Sequence, residues 1–271
     1  MNVLKCEFIK LTKNTPFKIT LAIVWIVSAV FGFFMTQNIS LYADYYECFD
    51  GFNGMLNSFA DSALYVIIGA VMAALFICAD FENRTIQESI TCGNSHWNIV
   101  VGKAFVYTLS LVVICLPYPL LFGGMMAVRT GWGVANCGAA GAALVGKLAL
   151  FLITVFFSYL PMILFFVFVS FLVRKVGVSF AVNIPVMLVG NRVLAMYMQS
   201  FDGKSNLITK LYDYSLFGLC DKIFSYMNLY GKNVMLGVTW QHCLPIIAAG
   251  IVWSIVLLIG TVYCFKKRDL K

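Results

Sequence analysis

The chain has 271 residues, of which 61% are hydrophobic and only 11% are charged. An ordinary soluble domain is about 45–50% apolar and about 25% charged, so its 19 Lys and Arg and 12 Asp and Glu side chains are too few to cover a soluble surface. Disordered chains have low hydrophobicity and high charge, so they are excluded as well, and an integral membrane protein remains.

Membrane-crossing helices are the elements that this composition predicts, and each needs about 20 mainly apolar residues. Six such stretches follow one another, at residues 17–36, 62–79, 101–123, 148–173, 176–198 and 244–265. They are continuously apolar, whereas the strands of a membrane barrel alternate between apolar and polar residues. The first stretch is too long for the apolar part of a cleaved signal peptide. The sequence therefore predicts an all-α membrane protein with six transmembrane helices.

The basic residues indicate how these spans are oriented. With six spans both termini lie on one side, and most Lys and Arg residues lie on that side, in short segments. Short cytoplasmic segments are enriched in Lys and Arg, so both termini are predicted to be cytoplasmic. The net charge of +7 then belongs mainly to the cytoplasmic face. Anionic lipid is the expected partner of this charge, and no nucleic acid is needed to explain it.

Residues 1–15 are predicted to form an amphipathic helix at the membrane surface. One face would carry Leu4, Phe8 and Leu11, and the other would carry Glu7, Lys10 and Asn14. A helix with this pattern lies along the inner leaflet with its apolar face in the lipid. The alternative is a basic tail that only sets the orientation of the chain.

The cytoplasmic segment 80–103, between the second and third spans, contains the most informative motif. Helical spacing places Phe81, Thr85 and Glu88 on one face, and Glu82 and Ile86 on another. A charged helix held between two spans could let a soluble partner push on the membrane domain. A solvated loop without a partner is the alternative on spacing alone.

This segment resembles the loop between spans two and three of ABC-2-type transporter permeases. The matching residues are Asp80, Glu82, Thr85, Gly93, Ser95, Gly102 and Lys103. His96 stands where Arg is usual in the family, and Arg84 stands where glycine is frequent. The layout is similar too, with an N-terminal amphipathic helix, six spans and a long last external loop.

The resemblance implies an ABC-2 permease of the type V exporter-like fold, with residues 1–271 as a single transmembrane domain. A separate ATP-binding subunit would hold ATP and Mg²⁺ and hydrolyse the ATP, so this chain would not be an enzyme. The segment 80–100 would couple to that subunit through Asp80, Phe81, Glu82, Arg84, Thr85 and Glu88. Two permease chains, expected to form a homodimer, would line the pathway in a bacterial plasma membrane.

The substrate implied by the resemblance is an amphipathic or hydrophobic peptide. The chain is most similar in layout to small permeases of bacteriocin immunity and phenol-soluble-modulin export. Polar residues inside the fifth span, Asn183, Asn191 and Arg192, are candidates to line the pathway or its gate, because ionisable residues within spans are functional by default. Arg192 could instead reach the external surface. The external loop 199–241 is expected to form short helices that gate or merely seal the bundle.

Catalytic and metal chemistry find no support in the sequence. Residues 141–147 have the spacing of a phosphate loop but lack the Ser or Thr that must follow the lysine, since Leu148 stands there. The nine Cys and two His residues have no metal-site spacing. A disulfide among Cys48, Cys137, Cys220 and Cys243 is left open.

The rival hypotheses are a secondary carrier, which would need carboxylates inside its spans, and a membrane sensor subunit.

Overall fold

The computed structural model describes residues 3–37, 50–59, 61–133, 142–199, 207–220, 222, 235 and 238–269. Every regular element in these ranges is a helix. The predicted all-α class is therefore confirmed for the part of the chain that is described.

The helices follow one another in chain order. The first half contains α1 (Val3–Lys13), α2 (Thr15–Gln37), α3 (Gly51–Ser58), α4 (Ser62–Ala73), a π-helical turn (Ala74–Cys78), α5 (Ala79–Glu82), α6 (Thr85–Thr91) and α7 (His96–Cys115). The second half contains α8 (Pro117–Thr130), α9 (Ala142–Val173), α10 (Val176–Gln199), α11 (Leu207–Asp213) and α12 (Trp240–Asp269). The α1 helix thus forms where the N-terminal helix was expected, whereas its position at a membrane surface stays a prediction.

Five candidate membrane spans are long and apolar enough to cross a bilayer among the described residues. They are Thr15–Phe34, Ser62–Glu82, His96–Thr130, Ala142–Val173 and Trp240–Arg268. The α10 helix is 24 residues long, but its apolar part, Val176–Gly190, is shorter than a full span. The chain is therefore a multi-pass membrane protein, and the predicted sixth span at α10 stays a prediction.

Burial separates the spans into an inner and an outer group. In the apolar 18-residue stretch of each span, 61% of the residues are buried for α4–α5, for α7–α8 and for α9. The corresponding shares for α2 and α12 are 17% and 22%. The α9 and α12 helices pack closely, since a Cβ at Gly250 would lie 2.1 Å from the Phe157 carbonyl oxygen. The exposed apolar side chains of α2 and α12 provide the surface that lipid would cover.

A π-helical turn interrupts the second span between α4 and α5. Residues Ala74–Cys78 form it, and four of the five, including Phe76 and Ile77, are buried. A π turn adds a residue to the helix and is frequently found at functional sites. The added residue rotates the following side chains, beginning with Asp80, relative to an unbroken α-helix.

The helix bundle has two ends, and each is named here by a segment that it contains. The 80–103 end holds α1, α5, α6, the start of α7, the connection between α9 and α10 and the end of α12. Contacts among these parts include Lys103 with Glu7 and Phe81 with Phe265. The 50–61 end holds α3 and the end of α8, which are joined by a hydrogen bond from Gly51 N to Gly131 O.

Candidate functional site

The segment 80–103 folds into two short helices and the start of a long one. Arg84 has a left-handed backbone (φ 60°) and separates α5 from α6, a conformation that costs about 1–3 kcal/mol in a residue other than glycine. Thr85 Oγ1 donates to the Asp80 carbonyl oxygen across this turn at 3.2 Å. Ile86 is only 1% exposed, so it anchors α6 to the bundle. The Gln87 and Glu88 side chains, on the outer face of α6, are exposed.

A buried lysine lies beneath this segment. Lys103, in the second turn of α7, is 1% exposed, and Glu7 of α1 is 4% exposed. Lys103 Nζ donates to Glu7 Oε2 at 3.0 Å and also donates to the Asp80 carboxylate. It lies 5.3 Å from the centroid of the Phe76 ring. The ammonium group of this α7 residue therefore contacts α1, the π-helical turn and α5.

A second lysine balances the charge of this cluster. Lys10 Nζ lies 3.5 Å from Asp80 Oδ2 and 3.9 Å from Glu7 Oε1. The ion cluster, defined as Glu7, Lys10, Asp80 and Lys103, thus contains two positive and two negative side chains. An isolated buried charge is very unfavourable, but one that is paired and hydrogen-bonded is tolerated. Mutual pairing explains how Lys103 can be buried.

The ion cluster changes the predicted faces of α1. Glu7 was expected on the face opposite Leu4, Phe8 and Leu11, away from the apolar contacts. Instead, Glu7 is buried, while Leu4 and Phe8 are 40% and 39% exposed and Leu11 is 5% exposed. The buried ammonium of Lys103 supplies the physical reason, because it stabilises a carboxylate on the inner face of α1. The two exposed apolar side chains point away from the bundle.

Phe81 connects the loop to the ends of two other spans. Its ring packs edge-to-face on Phe171 at 5.3 Å and on Phe265 at 6.1 Å. The Arg174 guanidinium lies over the Phe81 ring at 5.0 Å and over the Phe265 ring at 5.6 Å. Such contacts between an arginine and an aromatic face are attractive. The end of α5 is thereby joined to the ends of α9 and α12.

The six residues predicted to couple to an ATPase take different positions. Asp80, Phe81 and Thr85 make the contacts within the bundle that are described above. Glu82, although exposed, accepts a hydrogen bond from Val176 N at 2.9 Å. The Arg84 and Glu88 side chains are exposed. Contact of any of the six with an ATP-binding subunit stays a prediction.

Two features of this region were missed by sequence reasoning. Trp97, in the first turn of α7, is 50% exposed, next to polar residues on a surface that could receive a partner. The lone tryptophan in the polar segment 80–98 could have indicated it. Lys103 was noticed only as part of a motif, and nothing in the sequence pairs it with Glu7, because the two residues are 96 positions apart.

The predicted pathway residues are described only in part. Asn183 is completely buried, and its Nδ2 donates to Ser179 Oγ at 3.1 Å. Ser179 Oγ in turn lies 3.2 Å from Ser170 Oγ of α9. Asn183 Oδ1 has no hydrogen-bond partner among the described residues. The side chains of Asn191 and Arg192 lie outside the described part of the structure, so their role stays a prediction.

The external loop is described only at its edges. Residues Leu207–Asp213 form α11, and Lys222 Nζ donates to Asp213 Oδ2 at 3.0 Å. Cys220 and Cys243 are free thiols. Cys48 and Cys137 lie outside the described residues, so a disulfide between them stays an open prediction.

Comparison with known proteins identifies a family to which the chain is similar. The model of a family described as ABC-2 family transporter protein matches residues 3–190, which is well over half of the chain. The matched region runs from α1 through the apolar part of α10 and contains the ion cluster, Phe81, Glu82 and Asn183. No curated protein matches the chain.

Proposed function

The chain belongs to the ABC-2 family of transporter proteins, and from this premise we propose how it works as the membrane subunit of an ABC transporter. Permeases of this family normally act with an ATP-binding subunit. In our proposal that subunit binds ATP and Mg²⁺ and docks on the 80–103 end of this chain. The observation that supports this most directly is a polar, exposed helix, α6, attached to the bundle through a buried base.

The proposed docking surface consists of exposed side chains on and beside α6. We name these residues the coupling surface: Arg84, Gln87, Glu88, Thr91 and Trp97. An exposed helix can transmit motion to the bundle only if its base stays attached to the bundle. Here the base is held by buried Ile86 and by the ion cluster beneath Asp80. Exposed tryptophans are frequent centres of binding energy in protein interfaces, which favours Trp97 as the anchor of the contact.

The orientation follows from the same proposal. An ATP-binding subunit is cytoplasmic, so the 80–103 end and both termini would face the cytoplasm of a bacterial cell. The α1 helix would then lie on the inner leaflet, with Leu4, Phe8 and the 46% exposed Ile9 in lipid. Interfacial helices insert apolar side chains in this way. Basic residues flanking the spans would contact anionic headgroups.

We propose that two copies of the chain enclose a pathway for export of an amphipathic or hydrophobic peptide. The buried residues of α9 and α10 are largely apolar, and the buried polar side chains described there are Thr154, Ser158, Ser170, Ser179 and Asn183. An apolar pathway with few fixed charges suits a substrate that buries apolar side chains during transfer. Asn183 is the pathway candidate within the described residues; it is completely buried within the single chain, so α10 would have to move before its Oδ1, which has no partner among the described residues, could contact a substrate.

The docking proposal is tested by co-purification of the chain with its ATP-binding subunit in lipid nanodiscs. Glu88→Lys reverses an exposed charge on α6, and Trp97→Ala removes the exposed aromatic ring. Each is expected to weaken association about tenfold, which corresponds to about 1.4 kcal/mol, more than most interface residues cost when truncated.

Matched controls lie at the opposite end of the α7–α8 span. Thr130→Lys adds a positive charge at an exposed position, and Trp132→Ala removes a tryptophan that is 53% exposed. Both should leave association unchanged. Equal effects of the two pairs would refute docking at the coupling surface. Peptide transport by the chain without ATP would instead favour a secondary carrier.

A further inference from the structure

Glu82 makes a contact that its exposed position does not suggest. Its Oε1 accepts a hydrogen bond from Val176 N at 2.9 Å, and Val176 is the first residue of α10. The first backbone N–H groups of a helix have no acceptor within the helix. A carboxylate at this position also interacts favourably with the helix dipole. The side chain of one helix end thus caps the start of another helix, 94 positions later.

The neighbouring residue strengthens the same connection. The centroid of the Phe81 ring lies 5.0 Å from the Arg174 guanidinium carbon, and Arg174 is two positions before Val176. Arg174 has a left-handed backbone (φ 58°), and only Arg174 and Lys175 separate the end of α9 from the start of α10. Two adjacent residues of α5 therefore hold both sides of this tight turn. The start of α10 is therefore held by α5 in addition to its own first backbone hydrogen bond, from Ser179 N to Lys175 O.

We propose that Glu82 is a positioning residue that links the coupling surface to α10 by capping its first turn, and that it does not act through a charge contact with the ATP-binding subunit. This inference rests on the proposed function. Displacement of α6 would move α5, and the Glu82 hydrogen bond would pass that displacement to α10. Asn183 lies seven residues after Val176, about 10 Å along the helix axis, so the motion reaches the proposed pathway.

Three variants separate capping from charge. Glu82→Gln removes the charge but keeps a side-chain oxygen that can accept from Val176 N. Glu82→Ala removes both the charge and the acceptor. Val176→Pro keeps Glu82 intact and removes the donor, and proline is well accepted at the first position of a helix. The capping proposal predicts that Glu82→Ala and Val176→Pro behave alike, and that Glu82→Gln stays close to the unaltered protein.

The first readout is amide hydrogen exchange of the full chain in nanodiscs, without the ATP-binding subunit. The first helical hydrogen bonds of α10 begin with Ser179 N to Lys175 O at 3.0 Å. Loss of the cap is expected to speed exchange of residues 179–182 about tenfold, because local opening exposes these amides. Glu82→Gln should give less than a twofold change. Unchanged exchange in both Glu82→Ala and Val176→Pro would overturn the inference.

The second readout is peptide transported per ATP hydrolysed, with the ATP-binding subunit present. Glu82→Ala and Val176→Pro should each lower this ratio several-fold while co-purification stays unchanged, and the double variant should be no worse than either. If Glu82→Gln instead loses the ATP-binding subunit and Val176→Pro transports normally, Glu82 acts by charge and the inference is wrong. If the unaltered chain never binds that subunit, the proposed function fails, and the exchange result still decides whether Glu82 caps α10.

Discussion

The two ends of the bundle are held together by different kinds of contact. At the 80–103 end, side-chain charges join the helices, since Lys103 Nζ bridges Glu7 and Asp80. At the 50–61 end, tyrosine hydroxyls donate to backbone carbonyls, as in Tyr159 to Phe59 O at 2.7 Å. Tyr65 likewise donates to Ser58 O at 3.2 Å, whereas the Tyr118 hydroxyl donates to the Asp61 carboxylate. Hydrogen bonds of this kind are directional, so they restrict the geometry of the groups that they join.

Close backbone packing adds to the rigidity of the 50–61 end. Asp50 caps α3 by accepting from Asn53 N at 2.7 Å. The α3 and α8 helices approach closely at Gly123, where a Cβ would lie 2.5 Å from Met55 Cβ and 2.9 Å from Gly51 O. Small residues allow helices in membranes to approach in this manner. Any sliding of α3 on α8 would break these contacts.

The ion cluster permits rearrangement that such packing does not. Lys10 and Lys103 both contact Asp80, and both lie within 4 Å of a Glu7 oxygen. Because each carboxylate has two cationic neighbours, one ion pair can lengthen while another keeps the charge compensated. The comparison therefore indicates that the helices at the 80–103 end can shift relative to one another, whereas α3 and α8 at the 50–61 end keep their relative position.

Replacement of Lys103 by methionine should have the largest effect on stability. Lys103→Met keeps much of the apolar stem but leaves Glu7 and Asp80 with Lys10 as their only cationic partner in the ion cluster. Removal of one partner from a buried ion pair costs about 3–5 kcal/mol. We expect a clear fall in the thermal unfolding midpoint of the chain in nanodiscs.

The matched control is the half-buried Lys147 at the 50–61 end. Its Nζ donates to the carbonyl oxygen of Met235 at 3.1 Å, so Lys147→Met removes one hydrogen bond to a neutral group. Loss of a hydrogen bond that involves a charged group costs about 1.5–3 kcal/mol, less than the loss of one partner from a buried ion pair. Equal shifts in the two variants would show that the buried charges at the 80–103 end do not dominate its stability.

The rigidity of the 50–61 end is tested by two adjacent glycines. Gly123→Ala places a methyl group against Met55 and the Gly51 carbonyl and should destabilise the protein by about 1–3 kcal/mol through overpacking. Gly124→Ala is the control, since a Cβ there meets nothing within 4 Å. It should be neutral or slightly stabilising, because alanine is the better helix former. Both are measured by thermal unfolding in nanodiscs, and similar effects would contradict the close packing of α3 on α8.

The helices could be predicted from the sequence because hydropathy is a local property. The apolar stretch predicted at 148–173 ends at the same residue as α9, Ala142–Val173. The start of α9 was placed six residues too late, because Lys147 and the preceding small residues interrupt the apolar run. The π-helical turn at Ala74–Cys78 gives no comparable signal, since it depends on packing against α9 and α10.

The candidate site was predictable in position but not in detail. The polar segment 80–103 was identified from its composition and motif, and the structure brings its residues together. The partners of those residues could not be predicted, because Glu7 and Val176 become neighbours of Lys103 and Glu82 only when the spans pack. Sequence spacing also predicted Glu7 on the outer face of α1, but Glu7 is buried. Helical periodicity describes one helix only, so it contains no information about the buried Lys103 on another helix.

The smallest effect is expected at Lys10, which shares the Asp80 carboxylate with Lys103. The Lys10 side chain is 37% exposed and its Nζ is 3.5 Å from Asp80 Oδ2, so solvent screens the pair, and such pairs contribute about 0–1 kcal/mol. Lys10→Met should therefore change the unfolding midpoint little, and no more than Lys13→Met, an exposed control on the same helix.

Because Lys10 can approach Asp80 more closely once Lys103 is gone, Lys10→Met should lower the unfolding midpoint more in the Lys103→Met background than alone. Additive effects of the two changes, measured in a double-mutant cycle, would mean that the lysines do not substitute for one another and that the ion cluster is as rigid as the 50–61 end.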